Sequence, residues 1–187
     1  MSGALGVSLR RESWKALYRD GQNLLGDGAQ NYEYDACDIV VADNGGRMRR
    51  VVAAVIERSD RRFLIGQRRK SDSSPLKWEF PGGKVRAGEE LEQALARELR
   101  EELEVKLMRS REIARVIHQY ANYPEELEIH FFAAQILEGE LTPRTFEQVA
   151  WVLPKELGQY DFLAANRELI AHLATGKIKP AEVLAGE

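Results

Sequence analysis

Apolar residues are spaced along this chain in the patterns typical of strands. Six consecutive apolar residues, Val51–Ile56, predict a buried strand, and residues 61–68 predict a second one. Apolar and polar residues alternate over 113–120 and 127–137, which is the spacing of strands with one buried face. We expect these two segments to pair with each other, and residues 149–153 to form a further strand.

Helical patterns lie between and around these strands. The stretch 83–105 contains a helix rich in Glu, Leu, Ala and Arg, residues 164–175 predict a last helix, and Pro154 starts a short helical turn. Nearer the start, residues 13–25 suggest one or two short helices and residues 37–42 a strand. Because helices and strands interleave without a regular βαβ repeat, we predict an α/β (α+β) fold. Its sheet is mixed and flanked by helices, rather than doubly wound and parallel.

Composition limits the possible classes of protein. The chain has 187 residues, 44% hydrophobic and 30% charged, with a net charge of −3, as in a globular protein with one core. The slightly acidic balance argues against binding of a nucleic-acid polymer, and no apolar run reaches membrane-spanning length. The single cysteine, Cys37, cannot form an internal disulfide, so we expect a cytoplasmic protein.

Three glutamates in the stretch 83–105 are the first candidates for chemistry. Glu98, Glu101 and Glu102 are spaced i, i+3 and i+4, so a helix places their carboxylates on one face. Like charges on one face repel, and a divalent cation with a preference for oxygen ligands, Mg²⁺ or Mn²⁺, would remove the repulsion. The competing interpretation is an ordinary amphipathic surface helix, since these residue types are strong helix formers.

The residues before the glutamates separate the two interpretations. Gly83 lies six residues before Glu89, and Glu89 lies eight residues before Arg97. The full pattern, Gly83-x5-Glu89-x7-Arg97-Glu98-apolar-x-Glu101-Glu102, resembles the signature of the Nudix hydrolases. That family cleaves a nucleoside diphosphate linked to another moiety, so the resemblance implies a hydrolytic enzyme.

The resemblance also implies an architecture and its boundaries. It implies the Nudix α/β/α sandwich with a mixed β-sheet over residues 50–176. The resemblance does not extend to residues 1–49, which we expect to be a partly helical N-terminal extension of unknown role, or to a C-terminal tail, 177–187. The family pattern has a glycine where this chain has Glu104. Because a glycine there would end the helix in the left-handed region, we expect the helix to continue for another turn or the exit loop to bend differently.

Carried over residue by residue, the resemblance implies a metal-dependent site. Arg97 would orient a glutamate through a bidentate ion pair, and Glu89 would support it near the helix start. The general base is Glu101 or Glu102, with Glu147 as the other candidate. The implied ligands of Mg²⁺, with Mn²⁺ as a possible substitute, are Glu98, Glu101, Glu102 and the backbone carbonyl of Gly83.

Residues outside this pattern bear on the substrate. Residues 78–84, Trp-Glu-Phe-Pro-Gly-Gly-Lys, resemble the MutT-type nucleoside triphosphate pyrophosphohydrolases. The resemblance implies that Phe80 stacks near the base and that Asn166 reads the edge of an oxidised guanine; a helix N-cap is the alternative role for Asn166. Arg69, with Arg68 as the alternative, would lie near the ribose or the phosphates.

These features favour a Mg²⁺-dependent enzyme that cleaves a (deoxy)nucleoside triphosphate to the monophosphate and pyrophosphate. The first candidate substrate is an oxidised nucleotide of the 8-oxo-dGTP type, and the next is a cytosine nucleotide or a broader range of triphosphates. The alternatives are an ADP-ribose or nucleotide-sugar pyrophosphatase, and a catalytically silent module that binds a nucleotide. We expect a monomer or a homodimer.

Overall fold

The computed structural model describes residues 18–19, 22–23, 48–121, 125–137 and 140–186. Three α-helices lie in these ranges: α1, Leu91–Leu103; α2, Arg167–Ala174; and α3, Pro180–Ala185. Two 3₁₀ helices, Pro154–Gln159 and Ala164–Asn166, precede α2. The strands are β1, Tyr18–Arg19; β2, Gln22–Asn23; β3, Met48–Ile56; β4, Phe63–Gln67; β5, Trp78–Glu79; β6, Gly82–Lys84; β7, Leu107–His118; β8, Glu126–Ile136; and β9, Gln148–Val152.

The sheets combine parallel and antiparallel pairs, as predicted. The larger sheet has the order β6-β3-β8-β7, in which β3 and β8 are parallel and the outer pairs are antiparallel. A second, antiparallel sheet has the order β5-β4-β9. The predicted pairing of 113–120 with 127–137 is confirmed by β7 and β8, although β7 begins earlier, at Leu107.

Helices cover both faces of β3, which explains why its sequence is apolar without alternation. Val52 and Ala54 pack with the buried side chains of α1, including Leu99. Ala53 and Val55 face the other way and pack with buried residues of α2, including Leu169. A strand buried on both faces loses its period of two, and the three layers form the predicted sandwich.

The helices predicted near the two ends of the chain, in residues 13–25 and 164–175, differ from those in the structure. The four described residues within 13–25 form the antiparallel pair β1 and β2 rather than helix, and the predicted strand 37–42 lies outside the described residues. At the other end, α2 is followed by α3, so residues 164–175 do not contain the last helix. The carboxylate of Glu57 accepts a hydrogen bond of 3.1 Å from the Ala181 amide, which fixes the start of α3 beside the end of β3. No helix in the described ranges is long and apolar enough to cross a membrane.

Helix α1 ends in a left-handed residue that is not glycine. Glu104 has φ 59° and ψ 26°, and its amide donates to the carbonyls of Arg100 and Leu99. Both expectations for this position were therefore wrong: the helix does not continue, and the exit has the geometry that a glycine would give it. The Glu104 carboxylate accepts hydrogen bonds from the guanidinium of Arg144, which lowers the pKa of Glu104. This contact offsets part of the cost of the left-handed backbone.

We expect Glu104→Gly to raise the melting temperature by about 2 °C, because relief of the left-handed backbone exceeds the loss of an exposed ion pair. Glu104→Ala is the matched control, since it loses the ion pair but keeps the unfavourable backbone. Differential scanning calorimetry should therefore rank the glycine variant highest and the alanine variant lowest. A glycine variant that melts below the alanine variant contradicts this explanation.

Candidate active site

Two glycines bring β6 into close contact with β3 and α1. Gly82 pairs with Ala53, and a Cβ atom on Gly82 would lie 2.0 Å from the carbonyl oxygen of Val52. A Cβ atom on Gly83 would lie 2.5 Å from the carboxyl carbon of Glu98. Any side chain at these positions would displace the strand or the carboxylate. The turn therefore places the main chain of β6 directly against a glutamate of α1.

Arg97 organises the carboxylates at this end of α1. Its guanidinium is 9% exposed and donates to both oxygens of Glu89, at 2.7 and 2.9 Å, and to the carbonyl of Lys84, at 3.0 Å. It also donates to Glu98 at 2.7 Å and to Glu101 at 3.3 Å. The hydrogen bonds from Arg97 and from the Arg86 amide lower the pKa of Glu89 to about 2, and the bond to Glu89 raises the pKa of Arg97. Glu89 and Arg97 thus form a fixed pair that orients Glu98 and Glu101.

Glu102 has different partners from the other two glutamates of the cluster. One carboxylate oxygen accepts from the Gly82 amide at 2.9 Å and the other from the Thr145 hydroxyl at 3.3 Å. Burial raises the pKa of Glu102 to about 8, opposed by the Gly82 hydrogen bond, while the charges of Glu79 and Glu98 raise it further. Without a cation, this carboxyl group is therefore mostly protonated at neutral pH.

The oxygen atoms of this cluster are suitable ligands for a hard divalent cation, but their present positions do not form a metal site. Three carboxylates and nearby main-chain oxygens are the ligand types that such ions prefer. Within the described residues, however, no three acidic, histidine or cysteine side chains are arranged to hold a metal ion. Glu98 and Glu101 are turned onto arginines, and Glu102 onto the Gly82 amide. Binding a cation therefore requires some of these side chains to change partners.

A pocket of about 490 Å³ opens beside the glycine turn. Its wall includes Gly82, Gly83 and Asn166. Phe80 also lines it, although its ring is only 3% exposed and packs edge-on to Phe131, with 6.4 Å between the ring centroids. The pocket and the carboxylate cluster therefore share the main chain of β6.

Of the two candidate arginines, Arg68 lines this pocket and Arg69 is absent from its wall. The Arg68 guanidinium donates to both oxygens of Glu79 at 3.0 Å. Arg69 instead donates to the carbonyl of Arg144 and, through its amide, to Asp72. The structure thus favours the alternative arginine over the first choice, because Arg69 is directed to a different loop.

Glu79 is a pocket residue that the sequence interpretation missed. Burial raises its pKa to about 6, although the charge of Arg68 lowers it. The sequence feature that could have pointed to Glu79 is its position between two large apolar residues, Trp78 and Phe80, in a short strand. A buried carboxylate needs a polar partner, and here that partner is Arg68, so the two side chains line the pocket as a pair.

Asn166 lies in the pocket wall and does not cap α2 with its side chain. It is 5% exposed, has φ −88° and ψ −14°, and makes no side-chain hydrogen bond to the start of the helix. A 3₁₀ turn, Ala164–Asn166, leads directly into α2, so Asn166 lacks the extended backbone of a capping residue. The side chain therefore does not cap α2, and Asn166 belongs to the wall of the pocket.

Glu147 lies in a loop that is attached to the end of α1. The Arg144 amide donates to the carbonyl of Glu102 at 2.8 Å, and the Glu147 amide donates to Gln67 at 2.8 Å. The Glu147 side chain is exposed and, in the part of the chain that the structure describes, makes no hydrogen bond or ion pair. The contact from this loop to the carboxylates comes from Thr145 instead, a residue that carried no signal in the sequence.

Comparison with known proteins identifies the family. Residues 47–173 match the family model of the NUDIX domain. The chain is 36% identical over 138 residues to the CTP pyrophosphohydrolase of Escherichia coli, across 73% of this chain and 99% of that protein. It is 28% identical over 123 residues to the 8-oxo-dGTP diphosphatase of Buchnera aphidicola, across 66% and 91% of the two chains. A solved structure of MutT, from work on Aliivibrio salmonicida and Vibrio cholerae, aligns with a TM-score of 0.57 and 30% identity, over 70% of this chain and 99% of that chain.

These matches include the whole of the candidate site. The matched range contains the glycine turn, α1 and Asn166. The relatives are named as a pyrophosphohydrolase and a diphosphatase, which supports an enzyme, and Nudix hydrolases generally depend on a divalent metal ion. The chain therefore belongs to the Nudix family and is a MutT-type hydrolase that acts on phosphoric anhydride bonds.

Proposed function

We propose that this enzyme is a Mg²⁺-dependent pyrophosphohydrolase that cleaves a nucleoside triphosphate to the monophosphate and pyrophosphate. The observation that carries the proposal is the pocket of about 490 Å³ that shares Gly82 and Gly83 with the carboxylate cluster. Its volume lies in the range typical of small-ligand sites. A nucleoside in this pocket extends its phosphates past the glycine turn towards Glu98 and its neighbours.

Glu98, Glu101, Glu102 and the Gly83 carbonyl would hold Mg²⁺ in this proposal. When bound, the ion offsets the negative charge of the phosphates and lowers the pKa of the attacking water. Arg97 keeps Glu98 in place through its fixed pair with Glu89, so that less side-chain entropy is lost when the ligands assemble.

Glu102 is the proton acceptor that we favour, in the deprotonated form that a bound cation would stabilise. The Gly82 amide, at 2.9 Å, and the Thr145 hydroxyl, at 3.3 Å, hold its carboxylate beside the glycine turn, where the phosphates are expected. Glu101 is more exposed, at 43%, and is shared between two arginines. Glu147 has no comparable positioning contact among the described residues. Geometry therefore ranks Glu102 first.

In this proposal the base is recognised by polar residues of the pocket wall. The Asn166 amide offers a donor and an acceptor together, and the Arg68–Glu79 pair offers both in the same pocket. These groups suit the polar edge of either an oxidised guanine or a cytosine. One of the relatives described above is named for CTP and the other for 8-oxo-dGTP. The relative named for CTP has the higher sequence identity of these two.

We expect Asn166→Ala to lower kcat/KM for the preferred triphosphate by about 10- to 100-fold, because a base that loses its partner leaves a buried polar group unpaired. Asn166→Asp, which replaces the amide donor with an acceptor, should change the ranking of the bases. Steady-state kinetics with two triphosphates that differ only in the base measure both effects. If Asn166→Ala lowers kcat/KM equally for every base, Asn166 has a structural role and does not recognise the base.

A panel of substrates with Mg²⁺ tests the proposed function itself. The panel contains dCTP, CTP, dGTP, 8-oxo-dGTP and ADP-ribose, and the readout is pyrophosphate for the triphosphates and AMP for ADP-ribose. We expect pyrophosphate release from at least one triphosphate at a kcat/KM well above that for ADP-ribose. The reverse ranking would support the sugar-nucleotide alternative and overturn the proposal.

A further inference from the structure

Arg86 lies between β6 and α1 and contacts the carboxylate cluster from the solvent side. Its amide donates to Glu89 at 2.9 Å, which fixes its main chain beside the Arg97–Glu89 pair. Its side chain is 63% exposed, and its guanidinium lies 3.3 Å from both carboxylate oxygens of Glu101. No pattern in the sequence singled out this residue.

This contact conflicts with the proposed role of Glu101. A cation bound by Glu101 needs the carboxylate oxygens that Arg86 now contacts. The cation and the guanidinium are both positively charged, so they repel each other when both lie beside the same carboxylate. Arg97 also contacts Glu101, but it is buried and held by Glu89, Glu98 and the Lys84 carbonyl. Arg86 has no other side-chain partner among the described residues, so it is the group that can leave.

If a cation displaces Arg86 from Glu101, the phosphates of the substrate are a second anionic partner for its guanidinium. The Arg68 guanidinium is engaged by Glu79, and that of Arg97 by Glu89, whereas the Arg86 fork is exposed beside the place where phosphates are expected. A guanidinium matches two phosphate oxygens in bidentate geometry, as it matches a carboxylate. The same guanidinium can therefore bind either the Glu101 carboxylate or a phosphate.

We propose that Arg86 is a positioning residue with two alternating partners: it holds Glu101 in the metal-free protein, and it binds the phosphates of the substrate once a cation takes Glu101. The inference rests on the proposed function for the identity of the phosphate ligand. Its first half, competition with the cation, does not depend on turnover.

The first arm of the test titrates the metal-free protein with Mn²⁺ and measures free Mn²⁺ by electron paramagnetic resonance. Arg86→Gln should bind Mn²⁺ about threefold more tightly than the wild type, because an exposed ion pair no longer competes. Arg100→Gln is the matched control: Arg100 is exposed on α1, its substitution removes the same charge, and its side chain makes no contact with the cluster among the described residues. If Arg86→Gln binds Mn²⁺ no more tightly than Arg100→Gln does, the competition is disproved.

The second arm measures binding of a non-hydrolysable triphosphate analogue with saturating Mg²⁺, together with KM and kcat. Arg86→Gln should weaken analogue binding and raise KM by about tenfold with a smaller change in kcat, and Arg86→Lys should restore part of the loss. Unchanged analogue binding overturns the second half of the inference. Absence of triphosphate turnover in the wild type would instead overturn the proposed function, and the Mn²⁺ arm would still decide the first half.

Discussion

Glu102→Gln is expected to lower kcat for triphosphate hydrolysis by about 10²- to 10³-fold while the fold stays intact. The substitution removes a ligand charge and the favoured proton acceptor together. The glutamine carbonyl can still accept the 2.9 Å hydrogen bond from the Gly82 amide, so the turn keeps its geometry. Steady-state kinetics over a range of Mg²⁺ concentrations, with thermal melting of the same samples, measure both parts of the expectation.

Glu92→Gln is the control for this variant. Glu92 is exposed in the first turn of α1, so its substitution changes the helix charge by the same amount. It should leave kcat within about twofold of the wild type, as is usual for surface sites away from such features. If Glu102→Gln retains wild-type activity, the metal site has been assigned to the wrong residues.

Arg97→Lys should weaken the affinity for the metal ion and destabilise the protein. A lysine keeps the charge but has no planar fork, so it cannot bind Glu89, Glu98 and the Lys84 carbonyl at the same time. Loss of such orientation typically lowers metal affinity or activity by about 10- to 100-fold. The melting temperature should fall as well, because the poorly exposed carboxylate of Glu89 loses its partner.

Arg100→Lys tests whether this loss is specific. It makes the same substitution at an exposed position of α1, three residues further along the helix. The measurements are the Mg²⁺ concentration for half-maximal activity, Mn²⁺ affinity and melting temperature. Arg97 has no orienting role if the two lysine variants behave alike in all three.

Local periodicity predicted the fold well where burial determines the residue type. The continuous apolar run of β3 and the alternation of β7 and β8 follow directly from how many of their faces are covered. The spacing of Glu98, Glu101 and Glu102 likewise depends on a single helix, so the sequence alone was enough to place them together.

Features set by contacts between distant segments could not be predicted. Adjacent residues of an extended chain point in opposite directions, and β4 ends at Gln67, so periodicity could not choose between Arg68 and Arg69. The pairing of β4 with β5 brings Arg68, and not Arg69, to Glu79 in the pocket wall.

Glu104 shows the same limit at the end of a helix. Local propensity argued against a left-handed glutamate. The structure retains one because Arg144 binds its carboxylate and the loop around Thr142 donates to the last carbonyls of α1.

The identity of the products tests the central claim most directly. A triphosphate chosen from the substrate panel should be incubated with the wild-type enzyme and Mg²⁺, and the products followed by phosphorus NMR. The proposal predicts that the nucleoside monophosphate and pyrophosphate appear in equal amounts, and that neither appears with Glu102→Gln on the same timescale. Release of orthophosphate and a nucleoside diphosphate, or equal product formation by the variant, would contradict it.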